Sequence, residues 1–170
     1  MEVAHEENRA VNREEKAVNR DEKKYLVFTT GNERYCVPLL KVNEIIGLRK
    51  ITKLPKAPSY VKGLLNLRGR IITVVDFRII VGSKDHSEDS MKNSIIISNC
   101  DDLTIGFLID EVVSVEGFSD SQINYHVDEE TSRKNVAALG VAKDDNSDRL
   151  TLLVDLAKII ESNELRNLRY

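Results

Sequence analysis

Residues 63–69 read GLLNLRG, and 70–77 continue as RIITVVDF. Ile71, Ile72, Val74 and Val75 form a β-branched run too short for a helix of its own, which predicts a buried strand. Asp76 then reads as a strand-end residue, or as the cap of the segment Phe77 to Val81. Gly63 and Gly69 bracket the turn that leads into the strand; a missing Cβ permits positive φ there, or the close approach of a partner. Asn66, between them, is expected to bond to the backbone of that turn.

Upstream, Tyr25 to Thr30 alternates with a period of two, and Gly31-Asn32 punctuates it into a hairpin with Arg34 to Val37. Pro38 fits the first position of a helix, and Leu39, Val42, Ile45 and Ile46 follow a three-and-four spacing that predicts a short helix ending at Gly47. Leu48 to Leu54 reads as β-rich, and Pro58 as opening another brief turn of helix. Downstream, polar Gly82 to Asn93 reads as a surface loop. Strands at Ser94–Ser98 and Leu103–Ile109 flank a polar turn, and Val112, Val113 and Val115 continue the β-branched theme. Asp128 to Asn135 is a polar connection, Val136–Ala142 and Leu150–Val154 read as a long hairpin, and Leu156, Ile159 and Ile160 have helical spacing. Roughly ten short strands with brief helices predict an all-β fold of closed or nearly closed barrels rather than a doubly wound sheet.

Composition narrows the classes of partner. The chain has 170 residues, with 25 Lys plus Arg against 28 Asp plus Glu, a net charge of -3. Nucleic acid is therefore not an expected partner. Apolar runs such as Ile95 to Ile97 fall far short of the ~20 residues that span a bilayer, so membrane insertion is not expected either. The start lacks the pattern of a secretory signal and only two Cys occur, which leads to an expected cytoplasmic location. Residues 1–24 read as a charged arm, disordered or a frayed helix, ahead of one domain over 25–170. Within the arm AVNREEK at 10–16 is followed at once by AVNRDEK at 17–23, yet Ala and Val bury too little to hold a helix alone.

Candidates for catalysis are poor. His5, His86 and His126 share no metal-binding spacing, and no CxxC occurs. Cys36 alternates with apolar neighbours and reads as buried filler; Cys100 falls in a turn and is expected to be exposed, with nothing near it to lower its pKa. Ile71 to Asp76 resembles the acceptor strand of a receiver domain, with Asp101-Asp102 as the acidic pair. The pair comes on the wrong side of the strand and the intervening helices are missing. An enzyme using Cys100 or Asp76 remains only as a rival reading.

The order of four segments is more specific: YLVFTTGNERYCVPLLKVNEI, ITKLPKAPSYVKGLLNLRGRIITVVDFR, IGFLIDEVVSVE and ALGVAKDDNSDRLTLLVDLAKII. From Tyr25 to about Ile160 the chain resembles the CheW-like family of chemotaxis coupling proteins, with GLLNLRG the sharpest signature. The resemblance implies two small five-stranded β-barrels packed on an apolar seam, no catalysis and no cofactor. It implies an adaptor joining the cytoplasmic hairpin of chemoreceptors to the regulatory domain of the histidine kinase CheA, in arrays at the membrane. The alternative is a scaffold of another chemosensory two-component pathway. Glu44, on the expected helix, and Arg68, in the turn, match the family's acid and arginine, expected to face each other near the receptor contact. A bracing role for that pair stays open beside partner contact. Val42, Glu44, Gly63, Asn66, Arg68 and Gly69 are the receptor- or kinase-binding candidates, with core filling an equal reading for Val42. Thr73 stands where many members have proline, Phe77 where leucine is usual, and residues 135–138 are smaller than expected before Gly140.

Overall fold

A computed structural model describes residues 22–83, 92–126, 138–144 and 149–162. The heptad copies over 1–21, His5, His86, most of the Gly82 to Asn93 loop, the polar connection after His126, Val136-Ala137 and the closing charged tail lie outside the described residues.

The described residues form two sheets. The first joins β1 (Lys23–Thr30), β2 (Glu33–Pro38), β8 (Glu111–Phe118), β9 (Ile123–Asn124), β10 (Ala138–Lys143) and β11 (Leu150–Val154) in the order β8-β1-β2-β11-β10-β9. The second joins β3 (Val42–Gly47), β4 (Val61–Leu67), β5 (Arg70–Asp76), β6 (Ser94–Cys100) and β7 (Leu103–Ile109) in the order β3-β6-β7-β5-β4. Two short helices, α1 (Phe77–Ile80) and α2 (Leu156–Ser162), complete it. The all-β class and the hairpins at 25–37, 94–109 and 138–154 are as expected, and α2 is the helix expected from Leu156, Ile159 and Ile160. The first sheet has six strands where five were expected, because the two-residue β9 pairs with β10.

Alternation explains why both sheets curl. Tyr25 and Val27 point to one face of β1 and meet Cys36, Phe118, Ile123, Ala142 and Leu153, so every strand of the first sheet feeds one enclosed cluster. In the second sheet Ile46, Leu65, Ile72, Val74, Ile95, Ile97 and Leu108 do the same for its five strands. The opposite faces meet between the sheets, where Leu26, Phe28, Tyr35 and Val37 pack with Val75, Ile96, Phe107 and Ile109. With apolar side chains on both faces and only two short helices among the described residues to cover them, each sheet buries its inner face by rolling on itself. Among the described residues no ladder joins the first strand of either sheet to its last, so each is a curled sheet rather than a hydrogen-bonded closed barrel. Phe77 sits at the middle of the seam, edge-on to Phe28 and Tyr35 at ring separations of 5.3 and 5.1 Å. A larger ring than the family's usual leucine is thereby absorbed into an aromatic cluster.

Three expectations over residues 39–60 fail. The helix over Leu39 to Ile46 is a 3-10 turn, Leu39–Lys41, followed by the strand β3. Ile46 is buried while Ile45 is 41% exposed, so the burial has a period of two; β6 supplies the partner through Ile45↔Ile96 and Ile46↔Ile95. β-branched side chains take that pairing over a helix whose apolar spacing spans barely two turns. Leu48 to Leu54 contributes only a bridge from Thr52 to Leu64, and the residues after Pro58 make a turn, Val61 N–H donating to Pro58 O at 2.9 Å, instead of a helix.

A buried charge network ties the seam together. Asp76 caps α1 by accepting from Arg78 N at 3.1 Å, and the Arg78 guanidinium grips the same carboxylate twice, Nε to Oδ1 at 2.8 Å and Nη2 to Oδ2 at 2.7 Å. Arg78 also reaches Asp110 at 3.4 Å, whose other oxygen accepts from Gly31 N at 2.7 Å in the β1–β2 turn. The side chains of Arg78 and Asp76 are 1% and 2% exposed. Removing one partner of such a pair strands the other. Arg78→Met is expected to cost about 3–5 kcal/mol in urea unfolding, and the double variant Asp76→Asn/Arg78→Met, which removes both fully buried charges and leaves only the partly exposed Asp110 and Lys62 without their partner, is expected to cost less than the single one.

Candidate docking site at the mouth of the five-stranded sheet

β3 and β4 are the two edges of the second sheet, so strand pairing leaves them unjoined. Curling brings them round to each other, and two contacts span the gap. Thr52, in the link after β3, exchanges both backbone hydrogen bonds with Leu64 of β4 at 2.8 Å each. At the other end Arg68 Nη2 donates to Glu44 Oε1 at 2.8 Å. The pair expected from sequence therefore exists, although Glu44 sits on a strand and not on a helix. Arg68 is 79% exposed at the side chain and Glu44 30%, so the guanidinium presents itself to solvent while the carboxylate anchors it.

Local chemistry sets Arg68 in place. Leu67 pairs with Arg70, leaving Arg68 and Gly69 as a two-residue hairpin loop with φ of 53° and 85°. Positive φ at both central positions is the requirement of a type I′ turn, which suits strand twist and favours Asn-Gly. Asn66 closes the turn as expected, its Oδ1 accepting from Gly69 N at 2.9 Å. An arginine in the left-handed region costs about 1 kcal/mol; an exposed ion pair returns little of that.

Gly63 is not part of this turn. It lies inside β4 at φ of 142°, where an added Cβ would come 2.1 Å from Thr52 O. Its role is the close approach that lets the Thr52 bridge form, five residues before Arg68. Gly69 has nothing within 4 Å of an added Cβ, so its positive φ alone accounts for the glycine. Val42 opens β3 and packs against the seam cluster, with a register shift separating it from Glu44. Asn43 fills that irregularity by accepting from Asn99 N at 2.9 Å. The structure thus brings Glu44, Asn66, Arg68 and Gly69 together and leaves Gly63 and Val42 as packing positions.

A groove of about 370 Å³ opens at this mouth. Its floor includes Leu67, Ile72 and Ile97 from the sheet interior, and its rim Glu44, Arg68, Arg70, Asn99 and Thr104. The sequence reading missed Arg70, Asn99 and Thr104; Thr104 Oγ1 donates to Asn99 Oδ1 at 2.9 Å. An apolar floor with a hydrogen-bonding rim is the arrangement of a protein contact. Among the described residues no group of three His, Cys, Asp or Glu is placed to hold a metal ion.

The model of the CheW-like domain matches residues 24–164. The chain belongs to the CheW-like family. It is 36% identical over 121 residues to the chemotaxis protein CheW of Thermotoga maritima, covering 71% of this chain and 76% of that protein. It is 29% identical over 143 residues to the chemotaxis protein CheW of Klebsiella aerogenes, 84% of each chain. Among solved structures, the scaffolding protein TtCheW of Thermoanaerobacter tengcongensis superposes with a TM-score of 0.75 at 28% identity, over 82% of this chain and 93% of that one.

The candidates for the rival enzyme reading are built into the fold. Asp76 is consumed by Arg78. Cys100, expected to be exposed, is 4% exposed, because β6 runs on to Cys100 and carries its thiol into the seam cluster. Burial pushes the Cys100 thiol up to about 11 and the Cys36 thiol up to about 12. Thiol reagents at pH 8 are expected to label both cysteines only after unfolding. Since the folded chain holds these protons more tightly than the unfolded one, stability is expected to be intact below about pH 9 and to fall as pH rises through 11 and 12. At the turn, Arg68→Asn is expected to raise stability by up to about 1 kcal/mol in thermal or urea unfolding, because Asn adopts positive φ more readily than Arg.

Proposed function

We propose that this chain is a non-catalytic chemotaxis adaptor that joins chemoreceptor cytoplasmic hairpins to the regulatory domain of the histidine kinase CheA, and that the Glu44–Arg68 mouth is a docking face. The observation that carries the reading is the ion pair itself: a strained turn holds an arginine outward across two sheet edges, on the rim of an apolar-floored groove. Strain kept at an exposed residue points to use by a partner, since an Asn at the same place makes a better turn.

Arg is prominent among the residues that dominate protein contacts, because its planar fork pairs with carboxylates and carbonyls while its stem covers apolar surface. Glu44 fixes the fork before the partner arrives, which lowers the ordering cost of binding. The mouth lies at the edges of the five-stranded sheet, so one partner there leaves the six-stranded sheet's side of the molecule open to the other. Kinase contacts belong to that side in this reading. No helix among the described residues is long and apolar enough to cross a membrane, and attachment to a membrane array runs through the receptor.

Reconstitution with receptor and kinase fragments tests the site. Arg68→Ala, with circular dichroism unchanged, is expected to weaken receptor pull-down and receptor-dependent kinase activation by about tenfold or more. Wild-type pull-down and activation by the folded variant would reject the assignment.

A further inference from the structure

Between Ile45 and Val75 the chain carries Arg49, Lys50, Lys53, Lys56, Lys62, Arg68 and Arg70 and not one Asp or Glu. The remaining 18 basic residues are set against all 28 acidic ones, so the net charge of -3 hides a strongly polarised molecule. Lys62 stands 3.9 Å from Asp76 and Arg68 is held by Glu44. The other five are exposed, and none makes an ion pair or side-chain hydrogen bond among the described residues. Elsewhere Lys23 is matched by Asp120 and Lys92 by Glu111, and the exposed cations Lys24, Lys41, Arg149 and Lys158 are spread over separate elements whose neighbouring sequence carries acids.

The fold gathers these charges. The Thr52–Leu64 bridge lays residues 49–53 along the outer edge of β4, and Arg70 follows Leu64 by one turn of hairpin, about 10 Å away along the strand. Leu48 and Ile71, 40% and 58% exposed, lie beside Arg49 and Arg70 in the chain and add apolar surface to the charge. Arg70 also lines the docking groove, so the stripe runs into the mouth.

We infer that this stripe is a capture surface for an acidic polypeptide segment, the part of the docking partner that approaches the Glu44–Arg68 mouth. The inference rests on the adaptor reading for the identity of the partner, and on the charge pattern for its chemistry. A concave groove with an apolar floor admits a polypeptide and excludes a flat bilayer. The one aromatic residue between Ile45 and Val75 is half-buried Tyr60, which leaves no platform of the kind on which nucleic-acid bases stack. Unpaired cations on a rim act through steering, raising the association rate at low ionic strength and leaving dissociation to the buried contacts.

The test compares Lys50→Glu/Lys53→Glu with a matched reversal away from the stripe, Arg149→Glu/Lys158→Glu, both at exposed positions. With receptor and kinase fragments, the stripe variant is expected to associate about tenfold more slowly at low salt, with little change in dissociation and with the difference gone near about 0.5 M salt. The matched variant is expected to change far less; equal slowing by both variants, or by neither, would overturn the inference. Arg68→Ala separates the two claims, because it is expected to speed dissociation whether or not the stripe steers. If the unsubstituted chain binds neither fragment, the adaptor reading fails, and amide shifts with an oligoglutamate peptide decide the inference alone. Shifts confined to 48–56 and 70 sustain it, whereas scattered shifts, or tighter binding to anionic vesicles or duplex DNA at the same ionic strength, overturn it.

Discussion

Everything at the docking face depends on the roll of the five-stranded sheet. Its two faces are both apolar, one enclosed by the sheet and one turned to the seam, and water is excluded from both only if the sheet curls. The roll brings β3 and β4, the first and last strands of the ladder, within reach of each other. What spans them is a two-bond bridge at Thr52 and an ion pair at Glu44 and Arg68. An interaction of small intrinsic strength thus occupies a place that the burial of the core has created. Its contribution is to orient an arginine, and that is the property a docking face needs.

The two charge clusters of the molecule illustrate opposite uses of the same chemistry. Arg78 is buried with Asp76 and braced by Asp110, which itself holds the β1–β2 turn, so this network links the two sheets alongside the apolar seam. Desolvation makes it costly to form and far costlier to half-remove, which favours one packing of the seam over others. Arg68 is exposed, strained and held by a single hydrogen bond, so it is free to exchange partners. Burial separates the bracing arginine from the presenting one; residue type does not.

Legibility in the sequence followed the range of the interactions. Asn66 on Gly69 N and Asp76 on Arg78 N are contacts between residues two or three apart, and both were read correctly from turn and cap chemistry. Family resemblance carried the facing of Glu44 and Arg68, a contact over 24 residues that no local pattern announces. Val42 to Gly47 was misread because six residues carry too little periodicity to separate a helix from a strand, and β6, lying some fifty residues on, made the choice. Cys100 was misplaced by one or two residues of strand end, enough to move a thiol from solvent into the core.

From the chain alone came the all-β class, the succession of short strands and a turn ahead of Arg70, because alternation, β-branching and turn residues act between near neighbours; the narrowing of that turn from Gly63–Gly69 to Arg68-Gly69 came from the pairing of β4 with β5. The basic run from Arg49 to Arg70 was equally open to reading, and the balanced total charge concealed it. Only the tertiary structure decided that β3 is an edge strand, that the edges meet, that Gly63 yields space to Thr52, and that Arg78 is inside while Arg68 is outside. Each of those outcomes depends on which distant surface is nearest once the apolar faces have been removed from water, and neighbours in sequence carry no record of that.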